Sequence, residues 1–478
     1  MLTRTRNALS YSRSRRSKFV SELKEFLRFP SVSSQADRKN DIALCAKWLA
    51  RNLQRLGMER VRIIPLRGNP IVYASWQRAP GRPTVILYGH YDVLPGEPRS
   101  EWRTPPFTPT IQNDNLHARG AADDKGQLFS HVKALESYLK TSRTLPVNVK
   151  CIFEGEEEIG SPNLASFIAR NRKALRADAA VISDTRMLAP DRPAISYAQR
   201  GGLRAEIEIT GPPHELHSGA FGGAVHNPAV ALCEIIAGLH DEQGRITIPG
   251  FYDDVRVWSD QERAFMAQSG PSDQDILRDA KVDQGWGEDG YSLYERTTIR
   301  PDLGVNGIIA GHTGPGVKSI IPTRALAKVS FRLVPDQDPQ RVAQLLRDHI
   351  ARATPSTVRS AVRTMAPVQP ALVNRKHPAV QAAALAYEKG FGAAPVFVRS
   401  GGSIPVVNTF QEILGIPTVL MGFGLPDDHI HAPNEKFHLP IFYKAIETSI
   451  WYLALASRLR ESAHPQAQKS PRPKEQSA

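Results

Sequence analysis

Five histidines and carboxylates with the makings of a reactive centre fall at or just past the ends of apolar runs in this chain. The run TVILYGH (84–90) leads into His90-Tyr91-Asp92. Positions i and i+2 of an extended strand share a face, so His90 and Asp92 stand side by side. A metal-bound imidazole wants its second ring nitrogen held by a carboxylate, and Asp92 is spaced for that task. A structural His–Asp hydrogen bond is the simpler reading of the same pair. Further on, Arg119-Gly-Ala-Ala-Asp123-Asp124-Lys125-Gly126 lies between a glycine turn and a helical pattern. Adjacent acids at a helix start can complement the helix dipole. With a glycine-rich approach they also build a dense oxygen-donor site. Glu154-Gly155-Glu156-Glu157-Glu158 packs four carboxylates into five residues directly after an apolar run. They cannot all be freely solvated there, and a nearby cation would relieve their repulsion; a solvated acidic loop is the alternative. Asp184 ends the run AAVISD (179–184), and His429 and His431 follow PTVLMGFG (417–424). A His, three carboxylates and a further His converging from strand ends suit two divalent ions. Nitrogen and oxygen donors without thiolate favour Zn²⁺, Mn²⁺ or Co²⁺.

The elements that must position these residues follow from periodicity. The compact β-type runs alternate with helical patterns such as QLFSHVKALESYLK (127–140) and NLASFIARNRKAL (163–175). That alternation implies βαβ units and a mostly parallel sheet, in which ligands bind beyond the carboxyl ends of the strands. The stretch 197–370 has a different character. AEIEIT (205–210) and LAKVSFRLV (326–334) alternate apolar and polar, as half-buried antiparallel strands do. PAVALCEIIAGL (228–239) and PQRVAQLLRDHI (339–350) have the spacing of amphipathic helices. The expected organisation is therefore an α/β catalytic domain in two parts, 19–196 and 371–461, interrupted by an α+β insertion at 197–370. A basic arm at 1–18 and a disordered tail at 462–478 complete it.

At 478 residues the chain exceeds the size at which one hydrophobic core stops growing. Its 41% hydrophobic and 23% charged residues exclude collagen-like, wholly disordered and disulfide-scaffold proteins. No apolar run approaches the length of a membrane span. Lys and Arg (61) outnumber Asp and Glu (48), giving +13. Six of the positive charges (Arg4, Arg6, Arg13, Arg15, Arg16, Lys18) fall within the first 18 residues, which hold no acid. The excess is thus local. It reads as a flexible basic arm, resembling a transit peptide in composition, and no basic stripe interleaved with aromatics follows it. A non-catalytic basic scaffold and nucleic-acid binding are therefore disfavoured. The scattered cysteines Cys45, Cys151 and Cys233 form no C-x-x-C pair and fit a reducing, cytoplasmic setting.

Eight motifs in order resemble the M20 metallopeptidases, and among them the carnosinase-like dipeptidases. They are GHYDVLP (89–95), RGAADDKG (119–126), FEGEEEIGS (153–161), ISD (182–184), HELHSGAFGG (214–223), FRLVPDQDP (331–339), GGSIPV (401–406) and HAPNE (431–435). The resemblance implies a two-metal hydrolase domain with an inserted lid and dimerisation domain, acting on the peptide bond of dipeptides. It implies that His90, Asp123 and Asp184 hold one metal, that Asp123, Glu158 and His431 hold the other, and that Zn²⁺ is the favoured ion. Asp92 would orient His90, and Glu157 would be the general base for the attacking water. The Asp123–Asp124 peptide would be cis. His217, on the lid, would reach the active site of a second subunit and steady the oxyanion, which implies a homodimer. Arg332, Gly402 and Ser403 would receive the substrate, with Arg332 gripping its terminal carboxylate. The family usually carries Arg-Glu-Gly-Gly-Ser where this chain has Arg399-Ser400-Gly401-Gly402-Ser403. The lost carboxylate keeps removal of an acyl group from an N-acyl amino acid open as an alternative to dipeptide hydrolysis.

Overall fold

The computed structural model describes residues 2–459; the tail expected to be disordered, 462–478, lies outside them. The principal strands are β1 (Glu59–Ile64), β2 (Ile71–Trp76), β3 (Thr84–His90), β4 (Asn148–Glu154), β5 (Ala179–Ile182), β6 (Ala194–Gln199), β7 (Gly201–Thr210), β8 (Asp302–Ala310), β9 (Arg324–Leu333), β10 (Arg359–Val368), β11 (Val396–Ser400) and β12 (Thr418–Leu420). The principal helices are α1 (Leu2–Ser14), α2 (Arg16–Leu27), α3 (Lys39–Leu56), α4 (Lys125–Ser142), α5 (Pro228–Ala237), α6 (Asp260–Ser269), α7 (Pro339–Ala353), α8 (Pro378–Phe391) and α9 (Leu439–Ala456).

The larger sheet runs β1-β2-β4-β3-β5-β12-β6, with residues 371–372 beyond it and β11 also paired to β6. Its centre is parallel: β4 with β3, β3 with β5, and β5 with β12. The edge pairs β1–β2 and β2–β4 are antiparallel. Strands buried on both faces read as continuous apolar runs. Accordingly β5 is buried throughout, and β3 and β4 are buried at every position but the first. Helix α4 crosses this sheet and is buried from Lys125 to Leu139, because α1, α2, α3 and α9 cover its outer side. The helical pattern at 163–175 yields a helix only over Leu164–Arg170, where Asn171 ends it by donating from Nδ2 to the Phe167 carbonyl at 2.8 Å.

A second sheet, β8-β9-β7-β10, is antiparallel throughout. Along β7, Leu203, Ala205, Ile207 and Ile209 are buried, which is the period-2 face read from the sequence. That face packs with Leu232 and Ile235 of α5 and Leu346 and Ile350 of α7 into a core of its own. Asn227 and Asp338 cap these helices by accepting from Ala229 N and Gln340 N, both at 2.9 Å.

The N-terminal segment departs from the expected flexible arm. It is helical, and Thr5, Ala8, Leu9 and Ser12 are buried. Three of its positive charges, Arg13, Arg16 and Lys18, meet carboxylates far along the chain. Arg13 makes a two-pronged contact with Glu447 of α9 at 3.0 and 2.6 Å, and Lys18 reaches Glu136 of α4 at 2.8 Å. The counter-ions of Arg13 and Lys18 thus sit on α9 and α4, outside the stretch itself.

Candidate metal centre

Sheet register brings the reactive residues together. His90 lies opposite Glu154 at the end of the β3–β4 pair, and Tyr88 lies opposite Ile182 in the β3–β5 pair. Leu420 of β12 also lies opposite Ile182. His90, the acidic turn after Glu154, Asp184 and the loop after β12 therefore emerge at one edge of the sheet, where an open α/β fold binds its ligands.

Asp123 is the hub of this edge. Its Oδ1 lies 3.0 Å from His90 Nε2, and its Oδ2 lies 2.9 Å from His431 Nε2. Asp184 Oδ2 stands 3.9 Å from the same His90 nitrogen, and Glu158 Oε2 stands 3.3 Å from His431 Nε2. Two groups of potential ligand atoms result, His90–Asp123–Asp184 and Asp123–Glu158–His431, each with its atoms within 4.8 Å of one another. His429, the competing imidazole, is exposed and belongs to neither group. The Asp123–Asp124 peptide is cis.

Asp92 has a wider task than the sequence suggested. The His90 Nδ1 donates to the Asp92 backbone carbonyl at 3.1 Å, while the Asp92 carboxylate stands at 3.5 Å. That carboxylate instead accepts from the backbone N–H groups of Glu157 (3.2 Å) and Glu158 (3.1 Å), and so holds the acidic turn in place. The four glutamates of the turn divide into two pairs. Glu154 accepts from Tyr88 and, at 2.9 Å, from Ser161; Glu156 accepts from Asn69 N (2.8 Å) and Asn163 Nδ2 (2.9 Å). Ordinary hydrogen bonds thus hold Glu154 and Glu156. Glu157 and Glu158 are left to face the edge.

Burial and crowding shift titrations across the edge, Glu154 included, whose carboxyl burial pushes up to about 7. Burial, with the charges of Asp123 and Glu158 and against the pull of His90, pushes the Glu157 carboxyl up to about 8. Burial, then the charge on Asp123, pushes Asp184 well above the usual carboxylate range. Burial also opposes ionisation of Asp123, but His431 and His90 outweigh it and hold that carboxyl well below the usual range. Hydrogen bonds to Asp123 and then Glu158 raise His431 to about 10. Crowded carboxylates each pushing the other's pKa up are the electrostatic signature of a cation site. The His90 Nε2, fully buried, lies off the axis of a hydrogen bond to Asp123 and makes none. An orphaned imidazole nitrogen facing carboxylate oxygens, with no thiol among the donors, fits a divalent ion of the zinc type.

The remaining expected residues lie apart from this cluster. His217 is exposed on a two-residue strand paired to Ile320, and its Nδ1 accepts from Gly219 N at 3.1 Å. Arg332, exposed on β9, donates to Ser403 Oγ at 3.4 Å. Ser403 donates to the Arg200 carbonyl at 2.5 Å, and Gly402 N donates to Ser400 Oγ at 3.3 Å. The structure thus joins Arg332, Ser403 and Gly402 in one neighbourhood. Sequence reasoning missed Arg200 there, which joins β6 to β7 and donates to the Gly401 carbonyl at 3.3 Å. Burial lowers its guanidinium to about 10. Its position between a buried and an alternating run was the available signal. Gln127 was missed too; it bridges the Ala122 carbonyl (2.8 Å) and Phe423 N (2.6 Å).

Comparison with known proteins bears on what this cluster does. The sequence pattern of peptidase family M20/M25/M40 matches residues 86–454. The Cys-Gly metallodipeptidase dug1 of Schizosaccharomyces pombe is 31% identical over 456 residues, which span 92% of this chain and 95% of that protein. The crystal structure of human carnosine dipeptidase 1 matches with a TM-score of 0.85 at 28% identity, covering 95% of this chain and 99% of that one. The M20 family metallo-carboxypeptidase Sso-CP2 from Sulfolobus solfataricus matches with a TM-score of 0.83 at 34% identity, covering 92% and 99%.

Proposed function

The chain belongs to peptidase family M20/M25/M40, and on that premise we infer that it hydrolyses the peptide bond of dipeptides with two divalent metal ions, Zn²⁺ foremost. The carrying observation is the pair of ligand groups that share Asp123. His90, Asp123 and Asp184 would hold one ion, and Asp123, Glu158 and His431 the other. Bound there, the ions would polarise the scissile carbonyl and lower the pKa of the attacking water. Glu157, whose backbone Asp92 holds, takes the proton from that water and returns it to the leaving amine. Arg332 grips the substrate's terminal carboxylate beside Ser403 and Gly402, which requires a free C-terminus.

The insertion, residues 197–370, acts in this reading as a lid that hinges near Arg200 and residues 369–370 and excludes bulk water on closing. His217 steadies the oxyanion in a second subunit of a homodimer. Its exposure supports this, as does the β8 edge of the second sheet, where Val305, Ile308 and Ile309 are exposed. No helix among the described residues is long and apolar enough to cross a membrane. Free, buried Cys45 and Cys151 support a cytoplasmic setting.

The test is hydrolysis of free dipeptides, C-amidated dipeptides and N-acetyl amino acids after EDTA stripping and add-back of Zn²⁺, Mn²⁺ or Co²⁺. Cleavage of free dipeptides alone, restored by metal and lost in Glu157→Gln, is the expected result. A second reading is favoured by Ser400, whose hydroxyl brings no negative charge beside Gly402 and Ser403: removal of an acyl group from an N-acyl amino acid. Preference for N-acetyl substrates in the same panel would establish it.

A further inference from the structure

Residues 118–123, which deliver Asp123, are buried at every position yet belong to no helix or strand. Buried amides outside regular structure need partners, and one side chain supplies half of them. Glu435 is fully buried. Its Oε1 accepts from Ala122 N at 2.9 Å and Asp123 N at 3.0 Å. Its Oε2 accepts from Gly120 N and Arg119 Nη1, both at 2.9 Å. The Glu435 backbone carbonyl accepts from Ala118 N at 3.1 Å. Gly120, at φ +82°, turns the chain so that these amides can converge on one carboxylate.

Glu435 shares a loop with His431, and the Asp123 and His431 side chains meet at 2.9 Å. One carboxylate therefore ties together the two segments that must present ligands to the same ion. Its four donors engage both oxygens, so Glu435 is not itself free to ligate. We propose that Glu435 is a positioning residue that fixes the Asp123 segment against the His431 segment and so sets the affinity for the ion held by Asp123, Glu158 and His431. The inference rests on the metal reading above. The other ion shares Asp123 but draws its two remaining ligands, His90 and Asp184, from strand ends that Glu435 does not touch, so it depends on Glu435 less.

The test uses the full-length chain, stripped with EDTA and titrated with Zn²⁺ against a competing chelator, with ion content per subunit read by mass spectrometry. Wild-type protein is expected to take two ions. In Glu435→Gln an amide NH₂ confronts backbone donors, and orienting partners of metal ligands typically govern about 10- to 100-fold in affinity. The expected result is that factor lost from the ion held by Asp123, Glu158 and His431, with the other ion, which shares only Asp123 with it, weakened by clearly less. Both ions bound at wild-type affinity, or both weakened alike, overturns the proposal, since general loss of fold support does not choose between sites. Arg119→Lys, which leaves the three amide bonds in place, is expected to weaken the same ion by less. Should Glu435→Gln fail to fold, an unchanged affinity in Arg119→Lys for the ion held by Asp123, Glu158 and His431 overturns the proposal. Wild-type protein that takes up no ion overturns the metal reading itself.

Discussion

Replacing Asp92 by Asn separates the holding of the acidic turn from the chemistry performed on it. Asp92 is fully buried, and its two oxygens accept from the amides of Glu157 and Glu158 at 3.2 and 3.1 Å. Asn keeps the volume and one acceptor. Whichever way the amide turns, its NH₂ faces one of the two backbone donors. One charge-assisted hydrogen bond is lost, worth about 1.5–3 kcal/mol. If that loss falls on the transition state, kcat/KM drops roughly 10- to 100-fold at about 1.36 kcal/mol per decade. The His90 Nδ1 bond runs to the Asp92 backbone carbonyl, which the substitution leaves intact. The carboxylate charge 3.5 Å from the same nitrogen is lost as well, and the parallel measurement of ion content separates that effect on the imidazole from the effect on the turn. The assay is kcat/KM on a free dipeptide at saturating Zn²⁺, with ion content measured in parallel. A value within threefold of wild type at unchanged ion content would refute the claim that Asp92 sets the position of Glu157.

Two further outcomes test the packing around the site. Lys133 is fully buried and holds Glu22 at 2.6 Å and Glu136 at 2.7 Å, pinning α2 to α4. Lys133→Met removes one side of a buried ion pair and is expected to lower the unfolding free energy by about 3–5 kcal/mol in urea titration; a loss under about 1 kcal/mol contradicts that role. His131, buried on α4 against Ser183 Oγ at 2.7 Å, has its imidazole pushed down to about 4 by burial. A group with a depressed folded pKa contributes fully above its unfolded value, near 6.5, and loses that contribution as pH falls through the folded one. Stability should drop by on the order of 3 kcal/mol across that window, and the melting temperature of His131→Asn should fall less steeply over it. Equal slopes would place the acid sensitivity elsewhere.

The architecture was legible in the chain wherever burial leaves a periodic trace. Continuous apolar runs became the buried parallel strands, and the alternation at 205–210 and 326–334 became β7 and β9 of a sheet with one covered face. Because parallel strands end together, a His or acid after each run already implied a shared edge. The eight ordered motifs were legible too, since each is local in the chain. Which members of a cluster face that edge emerged only on folding. Glu154 and Glu156 read like Glu157 and Glu158, and what separates them is Tyr88, Ser161, Asn69 and Asn163. The basic N-terminus read as an arm because its partners Glu136 and Glu447 are over a hundred residues away. Glu435 looked like the end of a motif until folding brought it against the amides of residues 120–123. Hydrogen bonds and ion pairs between distant segments leave no period in a sequence, so they become visible only when the chain has closed on itself.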